Sequence, residues 1–371
     1  MKKLFFCFFL TNLVCAHLNS QITKGLAFES SLLSGSVFKH SAKIKIEPQR
    51  PVIGAEVSAV WRGYGKQSWN QAHHYCSFGI AANYMNFGED KVLGSAYGIM
   101  PHLTFHIVDL PKFQFNFRFS SGLGYITKYY NPITNPTNNI IGSHVNDMTA
   151  LRFGAVWQLT RQWRLLTSFS FTHYSNGATQ YPNLGINAVT GTLGVQYTAN
   201  PVIKEDLIRI ERPKRDKRLH LAASFFYGRN ERGVAGGPKY PIMATTLEAY
   251  IHTGMTNRIG IGLGGEYVPS VTAFARQSGF SQNDADNRRQ AYRYFATLGD
   301  EVLFGRIGLL GQAGFYLNKP ILRPYFMNFK LGVRYYFLKT AKFPVQLHIG
   351  AYLKSHFGTA EYASLGLGMF F

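Results

Sequence analysis

Alternation of apolar and polar residues is the feature of this sequence that most limits its fold. From Tyr325 to Phe337 the odd positions are all apolar or aromatic, while the even positions include Asn328, Lys330 and Arg334. Residues two apart in a strand share a face, so such a segment has one apolar face and one polar face. The pattern predicts sixteen strands, at about 26–34, 51–64, 74–87, 93–108, 112–125, 147–158, 163–174, 186–198, 218–228, 241–254, 258–268, 291–303, 306–317, 325–338, 344–355 and 362–371.

The lengths of the connections between these strands indicate a membrane barrel. Long connections, such as 127–146 and 269–290, alternate with very short ones around Pro111 and Gly305. Strands of about ten residues, apolar outside and polar inside, with long outer loops and short periplasmic turns, are typical of transmembrane β-barrels. We therefore predict an all-β fold, a transmembrane antiparallel β-barrel of about 16 strands from two 8-strand halves. A single barrel is favoured over two tandem 8-stranded barrels, and a soluble exported sandwich is the competing fold.

The N-terminus and the composition predict export to the bacterial outer membrane. Residues 1–20 have a basic start and a short apolar run, as in a signal peptide. Charged residues make up 16% of the chain against roughly 25% in globular proteins. The net charge of +20 predicts an anionic partner, namely lipid head groups or lipopolysaccharide phosphates and not nucleic acid. After removal of the signal peptide Cys76 is the only cysteine, so we expect no disulfide framework.

The domain organisation follows from the two sets of eight strands. We assign residues 1–20 to the signal peptide, 21–199 to a first barrel half with the active hairpin, 200–217 to a charged periplasmic linker and 218–371 to a second half without a recognisable active site. His356 also follows a strand in the second half, but no serine stands two residues after it and its parity is inward. Oligomeric state does not follow from the sequence.

The chemistry-bearing stretch lies at the hairpin between the seventh and eighth strands. His173 and Ser175 share the apolar, lipid-facing side of their strand, and Asn187 has the apolar parity of the next strand. A serine needs an adjacent base to become a nucleophile, and that base needs a partner that orients it. We therefore expect Ser175, His173 and Asn187 to form a catalytic set, with Asn176 and Gly177 as the oxyanion hole. The competing interpretation is ordinary hairpin-tip chemistry.

These residues resemble the signature of the PagL-like lipid A 3-O-deacylases, also named acyloxyacyl hydrolases. The resemblance covers about residues 50–198 and rests on His173-Tyr174-Ser175-Asn176 followed by Pro182-Asn183-x-Gly185-Ile186. It implies an outer-membrane barrel that hydrolyses an ester-linked acyl chain of lipid A, with His173 and Ser175 in the triad and Asn176 at the oxyanion hole. The family has a glutamate where this chain has Asn187, and this is the main departure.

The same stretch is similar to outer-membrane phospholipase A, which has a His-x-Ser-Asn-Gly motif and an asparagine as third member. This second resemblance implies a phospholipid substrate. No cofactor is expected for a lipid A deacylase, whereas calcium is expected if the enzyme is phospholipase-like. A third hypothesis is a non-catalytic barrel or pore that retains the motif. The sequence thus predicts a membrane-embedded carboxylic ester hydrolase acting on lipid A, with phospholipid hydrolysis and transport as alternatives.

Overall fold

The computed structural model describes residues 24–211, 216, 218–232, 235–318, 321, 326–338 and 345–371. The predicted signal peptide and part of the predicted linker lie outside these residues. The first eight strands are β1 (Leu26–Val37), β2 (Val52–Arg62), β3 (Ser77–Asn86), β4 (Ser95–Asp109), β5 (Phe113–Ile126), β6 (Val145–Gln158), β7 (Trp163–Ser175) and β8 (Ile186–Thr198). The next eight are β9 (Leu219–Glu231), β10 (Lys239–His252), β11 (Asn257–Tyr267), β12 (Tyr292–Phe304), β13 (Ile307–Tyr316), β14 (Met327–Leu338), β15 (Gln346–His356) and β16 (Thr359–Phe370).

The strands close as two antiparallel barrels of eight, which we call barrel 1 (β1–β8) and barrel 2 (β9–β16). The all-β barrel prediction is confirmed, but the preference for one 16-stranded barrel is wrong. β1 pairs with β8, from Ala27 with Thr198 to Val37 with Ala188, and β16 pairs with β9. Each set of eight therefore satisfies its own edge strands, and no edge is left through which the two sets could join.

Side-chain parity agrees with a membrane-spanning barrel. Along β7, Ser170, Thr172 and Tyr174 are buried in the lumen, whereas Phe169 is exposed on the outer surface. The outer surfaces of both barrels carry exposed Leu, Ile, Val, Phe and Tyr side chains in the same alternating way. In the described part of the chain, no helix is both long and apolar enough to span a membrane.

Barrel 1 has an apolar outer half and a polar middle. Met85, Phe87, Met148 and Tyr174 belong to a buried cluster that also includes residues of the outer loops. Below it, buried ion pairs join Glu29 to Arg118 at 2.8 Å and Glu56 to Arg152 at 2.6 Å. A cavity of about 780 Å³ lies at the periplasmic end, where the linker residues 201–205 also line it. The outer end of barrel 1 is therefore a packed platform, and its open space is at the opposite end.

Barrel 2 is filled by buried ion pairs. Glu301 accepts hydrogen bonds from Arg258 and Tyr336 and lies 3.2 Å from Arg334. A second group joins Glu266 and Glu361 to buried cations, with Arg293 2.7 Å from Glu361. These side chains cross the lumen, so the described interior of barrel 2 is packed. His356 is buried inside this barrel and lies 2.9 Å from the Tyr316 hydroxyl, which confirms its predicted inward parity.

Within the described residues, three short α-helices occur, all between the strands that the sequence predicted. They are α1 (Ser68–Ala72) on the periplasmic side, and α2 (Pro269–Gln277) and α3 (Asp284–Arg289) in an outer loop of barrel 2. The predicted third strand began at residue 74, but β3 begins at Ser77. Asn70 folds the preceding segment into a compact loop, because its side chain bonds both Gly65 N and Cys76 O. His73 and His74 therefore belong to this loop and not to a strand.

Candidate active site

The outer end of β7 places His173 and Ser175 on the outer face of barrel 1. Tyr174 between them points into the lumen, where it is fully buried and packs edge-on against Phe87 with ring centroids 5.4 Å apart. The spacing of two residues along an extended strand separates the Cα atoms of His173 and Ser175 by about 6.7 Å. Because Tyr174 is fixed in the core, the two flanking side chains are held on a rigid element.

Strand pairing brings Asn187 to His173. The two residues are direct partners in the β7–β8 register, and His173 Nδ1 lies 2.6 Å from Asn187 Oδ1. On its other side, Asn187 Nδ2 lies 2.7 Å from His40 Nδ1, and His40 Nε2 lies 3.0 Å from the Leu184 carbonyl oxygen. Sequence reasoning missed His40, which lies in the loop after β1. No spacing rule connects it to a residue 147 positions away.

This chain of hydrogen bonds has one consistent direction. A carbonyl oxygen can only accept, so His40 donates through Nε2–H to Leu184 and its Nδ1 is an acceptor. Asn187 then donates its amide to His40 and accepts through Oδ1, and His173 donates through Nδ1–H. The unprotonated nitrogen of His173 is therefore Nε2, the atom that is free to act as a base.

The Asn183 and Gly185 positions of the motif support this arrangement. Gly185 has a φ of +84°, a conformation that residues with a side chain rarely adopt, and a Cβ atom there would lie 2.6 Å from His173 Cε1. Asn183 Oδ1 accepts a hydrogen bond from the Asn176 backbone amide at 3.0 Å. Gly185 thus makes room for the imidazole ring, and Asn183 closes the loop that follows Ser175.

The two residues predicted for the oxyanion hole follow Ser175 directly. The Asn176 side-chain amide donates to Ser143 Oγ at 2.9 Å and to the Gln180 carbonyl oxygen at 2.8 Å. Its donors therefore hold the loop in this conformation. Gly177 has a φ of +62°, and its backbone amide has no hydrogen-bond partner within the described residues. The Gly177 amide therefore stays available, whereas the donors of Asn176 are already in use.

Asp147 on β6 is a neighbour of the site that the sequence did not single out. It is the direct strand partner of Ser175, and its carboxylate accepts a hydrogen bond from Thr149, the partner of His173, at 2.9 Å. Ser175 is 6% exposed, and no hydrogen bond joins its hydroxyl to the described residues. The outer face thus combines a free serine hydroxyl, an oriented imidazole and a carboxylate within two adjacent strands.

Comparisons with known families match both barrels. Residues 53–196 match the family described as Lipid A 3-O-deacylase (PagL), which covers most of barrel 1 and includes all the residues of the hairpin. Barrel 1 is thus similar to the PagL family. Residues 218–371 match the family described as Acyloxyacyl hydrolase, C-terminal domain, so barrel 2 matches a domain that is named for the same class of enzyme as the PagL barrel. No curated protein matches the chain in sequence.

Three solved structures that are similar to this chain are distant in sequence. A crystal structure of the outer membrane enzyme PagL has 13% identity and a TM-score of 0.32, over 45% of this chain and 97% of that chain. A mutant of the TodX monoaromatic hydrocarbon channel has 10% identity and a TM-score of 0.17, over 94% and 90%. The siderophore receptor PirA from Acinetobacter baumannii has 9% identity and a TM-score of 0.24, over 91% and 53%. At these TM-scores the likenesses add nothing to the family matches.

The family matches indicate an activity class and a location. The PagL and acyloxyacyl hydrolase families indicate a hydrolase that acts on lipid A esters. The PagL family and the barrel fold together indicate the bacterial outer membrane.

Proposed function

We propose that the protein is an outer-membrane lipid A 3-O-deacylase that uses Ser175, His173 and Asn187 as a serine-esterase triad. The observation that carries the proposal is the directed chain His40–Asn187–His173 beside Ser175, on the outer face of a PagL-family barrel. A polar set on a lipid-facing surface is costly unless it has a function. The same surface gives access to an ester whose acyl chain stays in the membrane.

The reaction begins with attack of Ser175 Oγ on the ester carbonyl carbon, while His173 Nε2 takes the hydroxyl proton. The resulting imidazolium is stabilised by Asn187 Oδ1, which accepts the Nδ1–H bond. Collapse of the tetrahedral intermediate breaks the bond to the sugar oxygen, which receives the proton from His173. Water then attacks the acyl-serine with His173 again as base, and the fatty acid is released.

The negative charge of the tetrahedral intermediate needs a donor next to Ser175. The backbone amide of Gly177 takes this role, because it is free and lies two residues after the nucleophile. Asn176 contributes through the loop that its side chain holds to Ser143 and Gln180. Asn176 joins the oxyanion hole directly only if one of these two bonds is exchanged when substrate binds.

The test is mass spectrometry of lipids after incubation with the purified protein folded in detergent. Lipid A and phospholipids are offered together, and wild type is compared with Ser175→Ala and with Ser168→Ala. Ser168 lies on the same strand but faces the lumen, so its variant controls for loss of a hydroxyl from β7. We expect loss of one acyl chain from lipid A, reduced by roughly 10³-fold or more in Ser175→Ala and unchanged in Ser168→Ala.

Other outcomes of this experiment separate the competing functions. Lysophospholipid and free fatty acid, dependent on Ser175, would replace lipid A with a phospholipid substrate, and repeating the reaction with calcium or a chelator would then test for a cofactor. No product from a folded barrel, together with ion conductance in a planar bilayer, would overturn the enzyme and favour a pore.

A further inference from the structure

Glu231, the last residue of β9, occupies an unusual position on barrel 2. The odd residues of β9 face outwards, and Leu221, Phe225 and Tyr227 on this row are between 38% and 56% exposed. Glu231 has the same parity but is 1% exposed. A carboxylate on the outer surface of a barrel is buried this completely only when something covers it.

The covering element is the β7–β8 loop of barrel 1, at residues 176–185. The Glu231 carboxylate accepts a hydrogen bond from the Tyr181 backbone amide, and the Glu231 backbone amide donates to the Ala178 carbonyl oxygen at 3.1 Å. These two hydrogen bonds hold the loop that follows Ser175 at two points, the Ala178 carbonyl oxygen and the Tyr181 amide. A buried carboxylate is costly without donors, and charge-assisted bonds to it are roughly twice as strong as neutral ones.

Barrel 2 also fixes the loop by direct packing at Gly177. A Cβ atom on Gly177 would lie 2.8 Å from Ala363 Cβ and 3.4 Å from Leu353 Cδ1, so β15 and β16 form a wall against this residue. The opposite side of the loop is held by barrel 1, where Leu184 N and Gly185 N donate to the Ile140 carbonyl oxygen. The segment from Gly177 to Tyr181 therefore lies between the two barrels.

We infer that Glu231 is a positioning residue for ester hydrolysis, and that barrel 2 completes the active site by fixing the β7–β8 loop of barrel 1. The inference rests on the proposed function. Glu231 touches no reacting atom. It acts through Ala178 and Tyr181 on the orientation of the Gly177 amide, so its removal should weaken stabilisation of the transition state more than binding of the substrate.

The test compares Glu231→Ala with Glu231→Gln and with Tyr227→Ala. Gln keeps an oxygen that accepts from Tyr181 N–H, and Tyr227 lies on the same outward row of β9, below the contact. We expect Glu231→Ala to lower kcat on lipid A by about tenfold with KM within about twofold, as for loss of a hydrogen bond to a charged group. Glu231→Gln should restore most of kcat, and Tyr227→Ala should leave it unchanged.

A second readout does not depend on the identity of the lipid. The rate at which a fluorophosphonate probe labels Ser175 should fall in Glu231→Ala in parallel with kcat, and hydrogen exchange of the Tyr181 amide should become faster. Shift of the folded band on an unheated gel verifies that each variant is folded. If lipid A is not cleaved but labelling of Ser175 still falls in Glu231→Ala, the proposed substrate is wrong and the positioning role stands.

Several results would overturn the positioning role. Unchanged kcat, labelling and exchange in folded Glu231→Ala would show that the loop is fixed without barrel 2. A rise in KM with unchanged kcat would make Glu231 a determinant of substrate binding instead. If wild type shows neither turnover nor labelling of Ser175, the proposed function fails, and unchanged Tyr181 exchange in Glu231→Ala would then remove the positioning role as well.

Discussion

His173 Nδ1 lies 2.6 Å from Asn187 Oδ1, a short bond to a side chain that carries no charge. A neutral acceptor can orient the imidazole, but it stabilises the imidazolium less than a carboxylate does. We expect Asn187→Ala to lower kcat by roughly 10- to 100-fold, the equivalent of about 1.5–3 kcal/mol for a hydrogen bond to a charged group. KM for lipid A should change little, and steady-state kinetics with mass-spectrometric detection would measure both. If kcat fell and KM rose by the same factor, an orienting role for Asn187 would be contradicted.

The hydrogen bond between Asn187 and His40 leads to a second prediction about residue 187. Asn187→Asp supplies a carboxylate to His173 but places it against the unprotonated Nδ1 of His40, 2.7 Å from the replaced amide nitrogen. While its Nε2–H donates to the Leu184 carbonyl oxygen, neutral His40 has no proton on Nδ1 to donate to this carboxylate. We therefore expect Asn187→Asp to lower kcat on lipid A, and His40→Ala in the Asn187→Asp background to recover part of the loss.

A double-mutant cycle would quantify that coupling. His40→Ala alone removes one neutral hydrogen bond, worth about 1 kcal/mol or roughly a fivefold loss of kcat. The effects of His40→Ala and Asn187→Asp should be non-additive, because the two side chains are in contact. Additive effects would show that His40 does not act through Asn187.

Much of this architecture follows from the sequence because it depends on local patterns. The period of two residues predicts sixteen strands and puts His173 and Ser175 on one face, and the β7–β8 hairpin then brings Asn187 to His173. Barrel closure is different, since the pairing of β1 with β8 joins strands more than 150 residues apart. No local pattern encodes that choice.

The parts of the site that escaped prediction are those supplied by distant loops or by the other barrel. His40 comes from the loop after β1, and Glu231 comes from barrel 2. Both contact the hairpin through tertiary contacts between segments that are distant in the sequence. The one local signal is Glu231 itself, a charged residue at the end of the outward-facing row of β9.

Gly185 gives a prediction that separates activity from folding. Its φ of +84°, together with the 2.6 Å that would separate an added Cβ from His173 Cε1, leaves no room for a methyl group. We expect Gly185→Ala to displace the imidazole and to lower kcat by at least tenfold, because an error of about 1 Å in a catalytic group costs roughly 10²-fold. Gly236→Ala is a matched control, since Gly236 also has a positive φ but has open space around it. Equal activity of the two variants would show that the ring is not held by Gly185.

The periplasmic contact between the barrels predicts a dependence on pH. His73 stacks on Phe304 of barrel 2 at 4.2 Å, and its Nε2 lies 3.0 Å from the Leu303 carbonyl oxygen. Burial is the main cause that lowers the pKa of His73 from its usual 6.5. The His73 imidazole therefore binds a proton more readily in the undocked chain than in the docked one. The contribution of His73 to the stability of the docked protein is fully present above pH 6.5 and decreases as the pH falls below 6.5.

Thermal unfolding in detergent between pH 5 and pH 8 would measure this effect. Wild type should show a lower midpoint at pH 5 than His73→Gln, which keeps a donor for Leu303 and does not titrate. The two proteins should converge above pH 7. Parallel curves over the whole range would contradict the role of His73.

The ion pairs inside barrel 2 predict that this barrel is a packed support and not a channel. Glu301 is fully buried with Arg258 at 2.7 Å and Arg334 at 3.2 Å. Removing one partner of a buried ion pair costs roughly 3–5 kcal/mol, because the remaining charges stay buried without compensation. We expect Glu301→Ala to lower the free energy of unfolding by this amount in urea titrations, while Asp300→Ala, at an exposed neighbouring position, should change it little. If barrel 2 instead held an open aqueous channel, water would solvate Arg258 and Arg334, and both variants would unfold at the same urea concentration.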